Sequence, residues 1–506
     1  MKFNVQRHLF LFPLLILFGC WVADYVNQSF EWENGLVQIF YVFLYYTFSM
    51  YKIPATWLYR ILIGIGAALI LGFAYSVLWH DYNSDVFDSK VSYAIHLAMI
   101  TLCILCLYHY KLSRLTKVLL GCFVVGVLSV LLFSESRISI VSVLVASFVL
   151  FFTKFKRWFN CKWVVVVLCL VSLFLCFYLY KIKEDSVHGR LTIYKVLVQG
   201  IAESPLFGTG TNGFHRTYML QQAAYFKNNP QDTYAILADS IVYPYNECLG
   251  FAYKYGLVST VIVLVFIFLI LKRNVRVISE IENRGYLCSL LVLFLIGLFS
   301  FPTHYFTVNV WGIWVLAQLS ANSRKSLLLR RYFLLATLLL VGCLVVLHIN
   351  KQTDEEAWQE AQTKMITGNT EKGLRDYETL YSHFKDHPLF LYNYAAELNF
   401  VREYSKSTEV LSLCQKHLNN YDTELLAADN AMSLGYDSLA LSCLKRAHYM
   451  VPAKFYPLSG MLTLYINNKD TLRADSIALI ILEKEVKIPS ADVSFIKRRA
   501  YKWLNK

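Results

Sequence analysis

Residues 183–214, KEDSVHGRLTIYKVLVQGIAESPLFGTGTNGF, and residues 243–257, YPYNECLGFAYKYGL, open and close the stretch whose reading decides the rest of the chain. Lys183 to Leu257 is the longest polar interval between apolar segments in the first two thirds of the sequence. Apolar runs long enough to span a bilayer flank it on both sides. Within it stand groups able to bind an anion or move a proton: His188, Arg190, Glu203, His215, Arg216, Asp239, Tyr245 and Glu247. A polar loop between spans reads as a candidate active site facing one side of a membrane, with the remaining chain as scaffold or appendage.

Composition agrees. Of 506 residues only 16% are charged and 57% are hydrophobic, with a mean hydropathy of +0.44, whereas soluble domains carry about 25% charge. The formal charge of +13 does not point to nucleic acid, because the cations sit in short clusters between apolar runs, as in cytoplasmic loops. Most of the 12 cysteines lie inside apolar runs, Cys20, Cys122, Cys169, Cys176 and Cys343 among them. Cys103 and Cys106 form a CxxC without partners at metal spacing, and read as small buried hydrophobes.

Apolar segments fall near 9–26, 36–51, 61–79, 93–110, 117–134, 138–154, 163–180, 257–272, 286–301, 305–320 and 332–349. Each approaches the ~20 residues that a spanning helix needs, so the fold class predicted is all-α: a polytopic bundle of about eleven spans. The first segment has no small-residue cleavage site after it and reads as a span rather than a signal peptide. Basic loops alternate with acidic ones. Lys2 and Arg7 precede the first span, and Glu31 and Glu33 follow it. Lys52 and Arg60 follow the second, and Asp81, Asp85 and Asp88 the third. Lys111, Arg114 and Lys117 follow the fourth, and Lys154, Lys156, Arg157 and Lys162 the sixth. Lys272, Arg273 and Arg276 follow the eighth, and Arg324, Lys325, Arg330 and Arg331 the tenth. By the positive-inside rule this alternation puts the N-terminus in the cytoplasm, and the 181–256 loop and the tail outside.

The domains expected are therefore a membrane domain, 1–350, and a soluble helical-repeat domain, 351–506. In the tail, apolar residues recur at helical spacing, and similar units begin near HPLFLYNYAAELNF, YDTELLAADNAMSLGYDS and PAKFYPLSGMLTLYINNKD, a period of about 30–34 residues. The pattern resembles tetratricopeptide repeats, without most of their marker Trp and Gly positions; an unrelated helical bundle is the other reading. Repeat surfaces of this kind usually bind proteins or peptides.

The residues able to do chemistry are few. Arg137 sits in SESRISI between the fifth and sixth spans, with Glu135 as one possible partner. An Arg at mid-bilayer costs about 2.5–3.5 kcal/mol on insertion scales, so one this near two spans has a function, a partner, or a place at the interface. Arg190 opens an amphipathic stretch that includes Lys195 and ends in the glycine turn of Gly208, Gly210 and Gly213. That turn is no nucleotide loop, since no GK[ST] follows it.

Taken in order, Arg137, the Arg190-led helix ending in PLFGTGTNGF, a polar loop, and YNECLGFAYKYGL leading into a span resemble the O-antigen ligase and O-antigen polymerase superfamily. Members share a pattern like R…PlfGvGxgxF…HNxyLxxxxexGliG in a large outward loop. The resemblance covers about 130–270 by motif and 1–350 by layout. It implies transfer of a glycan from undecaprenyl diphosphate, at the outer face of the inner membrane, to lipid A core, another glycan repeat or a protein hydroxyl. It further implies that Arg137 and Arg190 grip the diphosphate, where planar, permanently charged guanidinium groups suit phosphate oxygens and a growing negative charge. Arg216 is a possible third cation without a motif match.

One departure matters. The family places His before the Asn, and here that position is Tyr245, before Asn246. Tyr, with an unperturbed pKa of about 10, is a poor base. The base is then Glu247, Asp239, His215, His188 or Glu135, or little base is needed, or ligase activity has been lost. Tyr245 and Asn246 then orient the sugar, or are simply an interfacial Tyr and a helix cap. His304, a lone His among aromatics, reads as structural. Neither a metal site nor a DxD is visible, and no cofactor is expected. The competing classes are a lipid-glycan transporter, which would need charges near span centres, and a membrane scaffold with a dead core.

Overall fold

The computed structural model describes residues 9, 11–51, 55–79, 90–105, 113–134, 136–159, 181, 184–274, 281–321 and 327–506. Among them the chain is all α: twenty helices, two 3-10 turns and no strand. Ten of the eleven apolar segments are helical: α1 (Phe12–Val26), α2 (Trp32–Met50), α3 (Ala55–Trp79), α4 (Lys90–Leu105), α5 (Arg114–Phe133), α6 (Arg137–Phe159), α9 (Glu247–Asn274), α10 (Ile281–Gly297), α11 (Phe306–Ser320) and α12 (Leu327–Ile366). The segment 163–180, Glu135, Cys106, and the loop charges Lys2, Arg7, Lys52, Asp81, Asp85, Asp88, Lys111, Lys162, Arg276, Arg324 and Lys325 lie outside the described residues. So do the side chains of Arg60, Cys103, Lys154, Lys156 and Arg157.

The chain forms two compact units. The first holds Met1–Tyr25, Phe30–Leu179 and Tyr243–Leu344. Two of the helices, α9 and α12, are long and apolar enough to cross a membrane, and shorter apolar helices accompany them. Leu264, Phe268, Leu335 and Leu339 leave their side chains on the outside, as expected where the surrounding solvent is hydrocarbon rather than water. Inside, Ala94, Leu97 and Ala98 of α4 pack with Val292 and Ile296 of α10, and Val308, Val315 and Ala317 of α11 join the same core. Hydrogen bonds tie the helices across their faces, as small and polar residues do in membranes. The Tyr45 hydroxyl donates to Ser320 Oγ at 2.7 Å, Gln318 Nε2 donates to the Phe48 and Tyr51 carbonyls, and Ser289 Oγ donates to the Met99 carbonyl at 2.7 Å.

The second unit holds Val26–Ser29, Tyr180–Val242 and Val345–Lys506. Its loop part contributes α7 (Glu184–Glu203) and α8 (Gly213–Asn228). Its tail contributes the end of α12 and α13 (Thr370–Leu380), α14 (Pro388–Phe400), α15 (Tyr404–Cys414), α16 (Tyr421–Ser433), α17 (Asp437–Met450), α18 (Tyr456–Asn467), α19 (Thr471–Glu483) and α20 (Ala491–Leu504). The tail is a ladder of helical hairpins. Four turn residues have positive φ, Gly368, Arg402, Gly435 and Lys469, and successive ones stand 33 or 34 residues apart. At each turn the next residue's N–H reaches back to the helix end: Asn369 to Lys364, Glu403 to Leu398, Tyr436 to Ala431 and Asp470 to Tyr465. This is the same Schellman stop each time. Fully buried alanines, Ala428, Ala440, Ala447, Ala474 and Ala478, let the paired helices approach closely.

The loop helix α8 is part of this ladder. It buries Phe214, Tyr218, Met219 and Phe226 and packs on α17. The Asn419 N–H donates to the His215 carbonyl at 3.0 Å, and Asn419 Nδ2 donates to the Arg216 carbonyl at 2.9 Å. Gln222, 1% exposed, gives its amide to the Asp239 and Met450 carbonyls at 3.0 and 2.6 Å. Each buried carbonyl thereby gains a donor that it would otherwise lack.

Candidate active site

In the second unit, α7 starts with Glu184 and Asp185 at its positive N-terminal end. Its inner face is Thr192, Ile193, Val196, Leu197, Gly200 and Ile201, spaced as one helical stripe. Arg190 is half-buried and Lys195 exposed. The His188 ring stacks on Tyr234 at 4.1 Å between centroids, within 3.7 Å of Glu184 Oε1. Glu203 accepts from Gln221 Nε2 at 2.7 Å. Burial and the bond it donates to Asp232 hold the Tyr225 phenol up at about 12.

The glycine turn follows. Gly208 and Gly210 have φ of 64° and 84°, the left-handed region that favours glycine. A Cβ on Gly210 would lie 1.9 Å from Ser29 Oγ, and one on Gly213 would lie 2.1 Å from Thr209 Oγ1. Arg216 clasps this turn: its Nη2 donates to the Thr209 carbonyl at 3.2 Å and its Nη1 to the Asn27 carbonyl at 3.4 Å. Expected from sequence as a possible third phosphate cation, Arg216 makes these hydrogen bonds to two backbone carbonyls. His215 projects as an exposed side chain beside it, and the Asp239 carboxylate accepts from the Ser240 N–H at 2.8 Å.

In the first unit, Tyr243 to Glu247 meet Leu298 to Tyr305 in an aromatic corner. Tyr243 stacks on Phe301 at 4.1 Å, and its hydroxyl lies 3.2 Å from His304 Nε2. Tyr245 stands edge-on to Phe301 with φ of 51°. An aromatic residue in left-handed backbone is uncommon and costs energy, a pattern concentrated at functional sites. Asn246 caps α9: its Oδ1 accepts from the Leu249 N–H at 3.0 Å and its Nδ2 donates to the Leu298 carbonyl at 3.2 Å. Glu247 Oε1 accepts from the Thr303 N–H at 2.8 Å. Beyond the corner, Gly256 breaks α9 with φ 74° and ψ 175°, a conformation essentially reserved for glycine. Arg137 begins α6, exposed, beside the bonded pair Ser136 Oγ and Ser139 Oγ, 2.7 Å apart.

Three groups escaped the sequence reading. Lys254 interacts electrostatically with Glu247 and with Asp24, and Asp24 is 3% exposed. The seven-residue spacing of Glu247 and Lys254 puts both on one helix face, and Asp24 ends an otherwise apolar segment, so both carried a local signal. Pairing of His304 with Tyr243 carried none.

Residues 122–243 match the family described as O-antigen ligase. The match supports a likeness of this stretch to the O-antigen ligase superfamily. It spans Arg137, Arg190 and the glycine turn of the ligase-type domain, and ends at Tyr243, two residues short of Tyr245. The match supports a membrane protein with O-antigen ligase or polymerase-type glycan function, and that family implies a lipid-linked glycan. No curated protein matches the chain.

Proposed function

We propose that the protein moves an oligo- or polysaccharide from undecaprenyl diphosphate to an acceptor at the outer face of the inner membrane. The observation that carries this reading is the family match, because the matched residues include both arginines and the glycine turn. The N-terminus is then cytoplasmic, and the loop and tail periplasmic.

In the reaction an acceptor hydroxyl oxygen bonds to the anomeric carbon while the bond from that carbon to the diphosphate oxygen breaks. The electron pair leaves with undecaprenyl diphosphate, and the hydroxyl proton passes to a base. Arg137 and Arg190 take the diphosphate role, since bidentate guanidinium donors stabilise charge that grows as the bond breaks. Glu247 takes the base role. The Thr303 N–H fixes one of its oxygens, and the Tyr243, Tyr245 and His304 side chains offer a surface on which a sugar can be oriented. Ligase, repeat-unit polymerase and protein O-oligosaccharyltransferase differ only in acceptor, and the Tyr at the family's His position favours an atypical ligase or a polymerase.

The test is deletion of the gene, complementation with Arg190→Ala, and analysis of surface polysaccharide. Loss of transfer with normal protein in the membrane supports the reading; normal surface glycan in Arg190→Ala removes it. In the deletion strain, finished chains left on the carrier identify a ligase, and single repeat units on the acceptor identify a polymerase.

A further inference from the structure

The second unit contains a pocket of about 820 Å³, near the upper end of the range typical of ligand sites. Its walls are α16, α17, α18 and α20, the turns at 451–455 and 487–490 and, from the loop, Ala238 and Asp239. Two large aromatic side chains in it stay open to solvent, Tyr456 at 61% and Phe495 at 62% exposure. Burying either against a ligand would remove apolar surface from water, so their open faces are uncompensated in the free protein. The floor beneath is fixed. Phe455 and Tyr421 are buried, and the ammonium groups of Lys454 and Lys484 sit over those rings, 4.1 Å from Tyr421 and 5.0 Å from Phe455. Asp239, Asp429 and Asp492 bring carboxylate acceptors into the same pocket.

We propose that this pocket binds an oligosaccharide. Flat, open aromatic faces suit the C–H face of a pyranose ring, and a carboxylate with two acceptor oxygens suits a pair of neighbouring hydroxyl donors. The hydroxyls of Ser459, Thr463 and Ser490 in the same lining can both donate to and accept from sugar hydroxyls. The choice of a glycan as ligand rests on the glycan-transfer reading above.

Full-length protein in detergent is titrated with the oligosaccharide released by mild acid from the host's own surface polysaccharide, and binding is followed by calorimetry and saturation-transfer NMR. The expected result is that the Tyr456→Ala/Phe495→Ala variant binds at least tenfold more weakly at an unchanged melting temperature. Asp492→Asn, which alters no volume, is expected to weaken binding in the same direction, and keeps the test valid if the double variant misfolds. Binding as tight as the parent's in both variants overturns the pocket. A parent that transfers glycan in cells but does not hold the free oligosaccharide overturns the pocket and leaves the transferase reading standing. Pocket-dependent binding in a protein whose deletion leaves surface polysaccharide unchanged supports the pocket and removes the transferase reading. Binding of unfolded peptides in place of the oligosaccharide overturns the proposal in favour of a peptide groove.

Discussion

Replacing Gly210 by Ala should destabilise the second unit through two separable terms. The residue has φ of 84°, and left-handed backbone costs a non-glycine residue about 1–2 kcal/mol. The new Cβ would also stand 1.9 Å from Ser29 Oγ, 2.9 Å from Ser29 Cβ and 3.2 Å from Asn27 Cβ. Contacts this short force the 26–29 segment to move, and overpacking of that kind typically costs about 1–3 kcal/mol. The sum is about 2–5 kcal/mol, or a fall in melting temperature of roughly 4–20 °C at about 2–4 °C per kcal/mol. Moving Asn27 also strips the Arg216 guanidinium of one of its carbonyl partners. Adding Ser29→Gly removes both Ser29 contacts and leaves the backbone term, so the double variant should regain the clash share, about 1–3 kcal/mol. Calorimetry of the purified protein reads both numbers, with trypsin sensitivity of residues 205–242 as a local check. An Ala variant that melts with the parent, or a double variant that recovers nothing, would refute the argument that this turn is held by contact with residues 26–29.

Other expectations concern single groups. Burial, with a smaller contribution from the Lys484 charge, pulls the His448 pKa down to about 4. An unfolded chain takes up that proton near pH 6.5, so stability is lost as pH falls from about 6.5 towards 4 and then levels off. The loss is bounded at about 3 kcal/mol by linkage, and less because the ring is only half-buried. His448→Leu should make the acid limb of melting temperature against pH shallower; an unchanged limb would exclude the effect. Lys469 has φ of 58° at a helix stop, so Lys469→Gly should raise the stability of the repeat ladder by about 0.5–1 kcal/mol, and a lower melting temperature would contradict the strain assigned to it. Glu247→Gln keeps an acceptor for the Thr303 N–H. It should leave the fold intact while slowing transfer by about 10²–10⁴-fold, the usual scale for a general base; transfer at the parent rate would move the base elsewhere.

The helical character of the chain was legible because it is written locally. Apolar runs near twenty residues long and a recurring hairpin period need no tertiary information, and every described apolar segment forms a helix. The glycine turn was legible for the same reason, since left-handed backbone selects glycine position by position. The backbone partners of Arg216 were not. A guanidinium in a loop suits phosphate and carbonyl equally, and only the fold shows the carbonyls of Asn27 and Thr209 within its reach. His304 read as a lone ring because its hydroxyl partner Tyr243 is 61 residues away.

Composition, span length and repeat period determine by themselves that this is an all-helical membrane protein with a polar loop and a helical tail. Which of these parts share a core is a tertiary matter. The 181–242 loop reads as an excursion of the membrane domain, yet its helix α8 is completed by Asn419 and by the Met450 carbonyl, partners more than 200 residues away. A buried carbonyl demands a donor, and a buried amide demands an acceptor, but neither demand names the residue that meets it. Periodicity reports which face of a helix is apolar, while the surface that covers that face is chosen only when the chain folds.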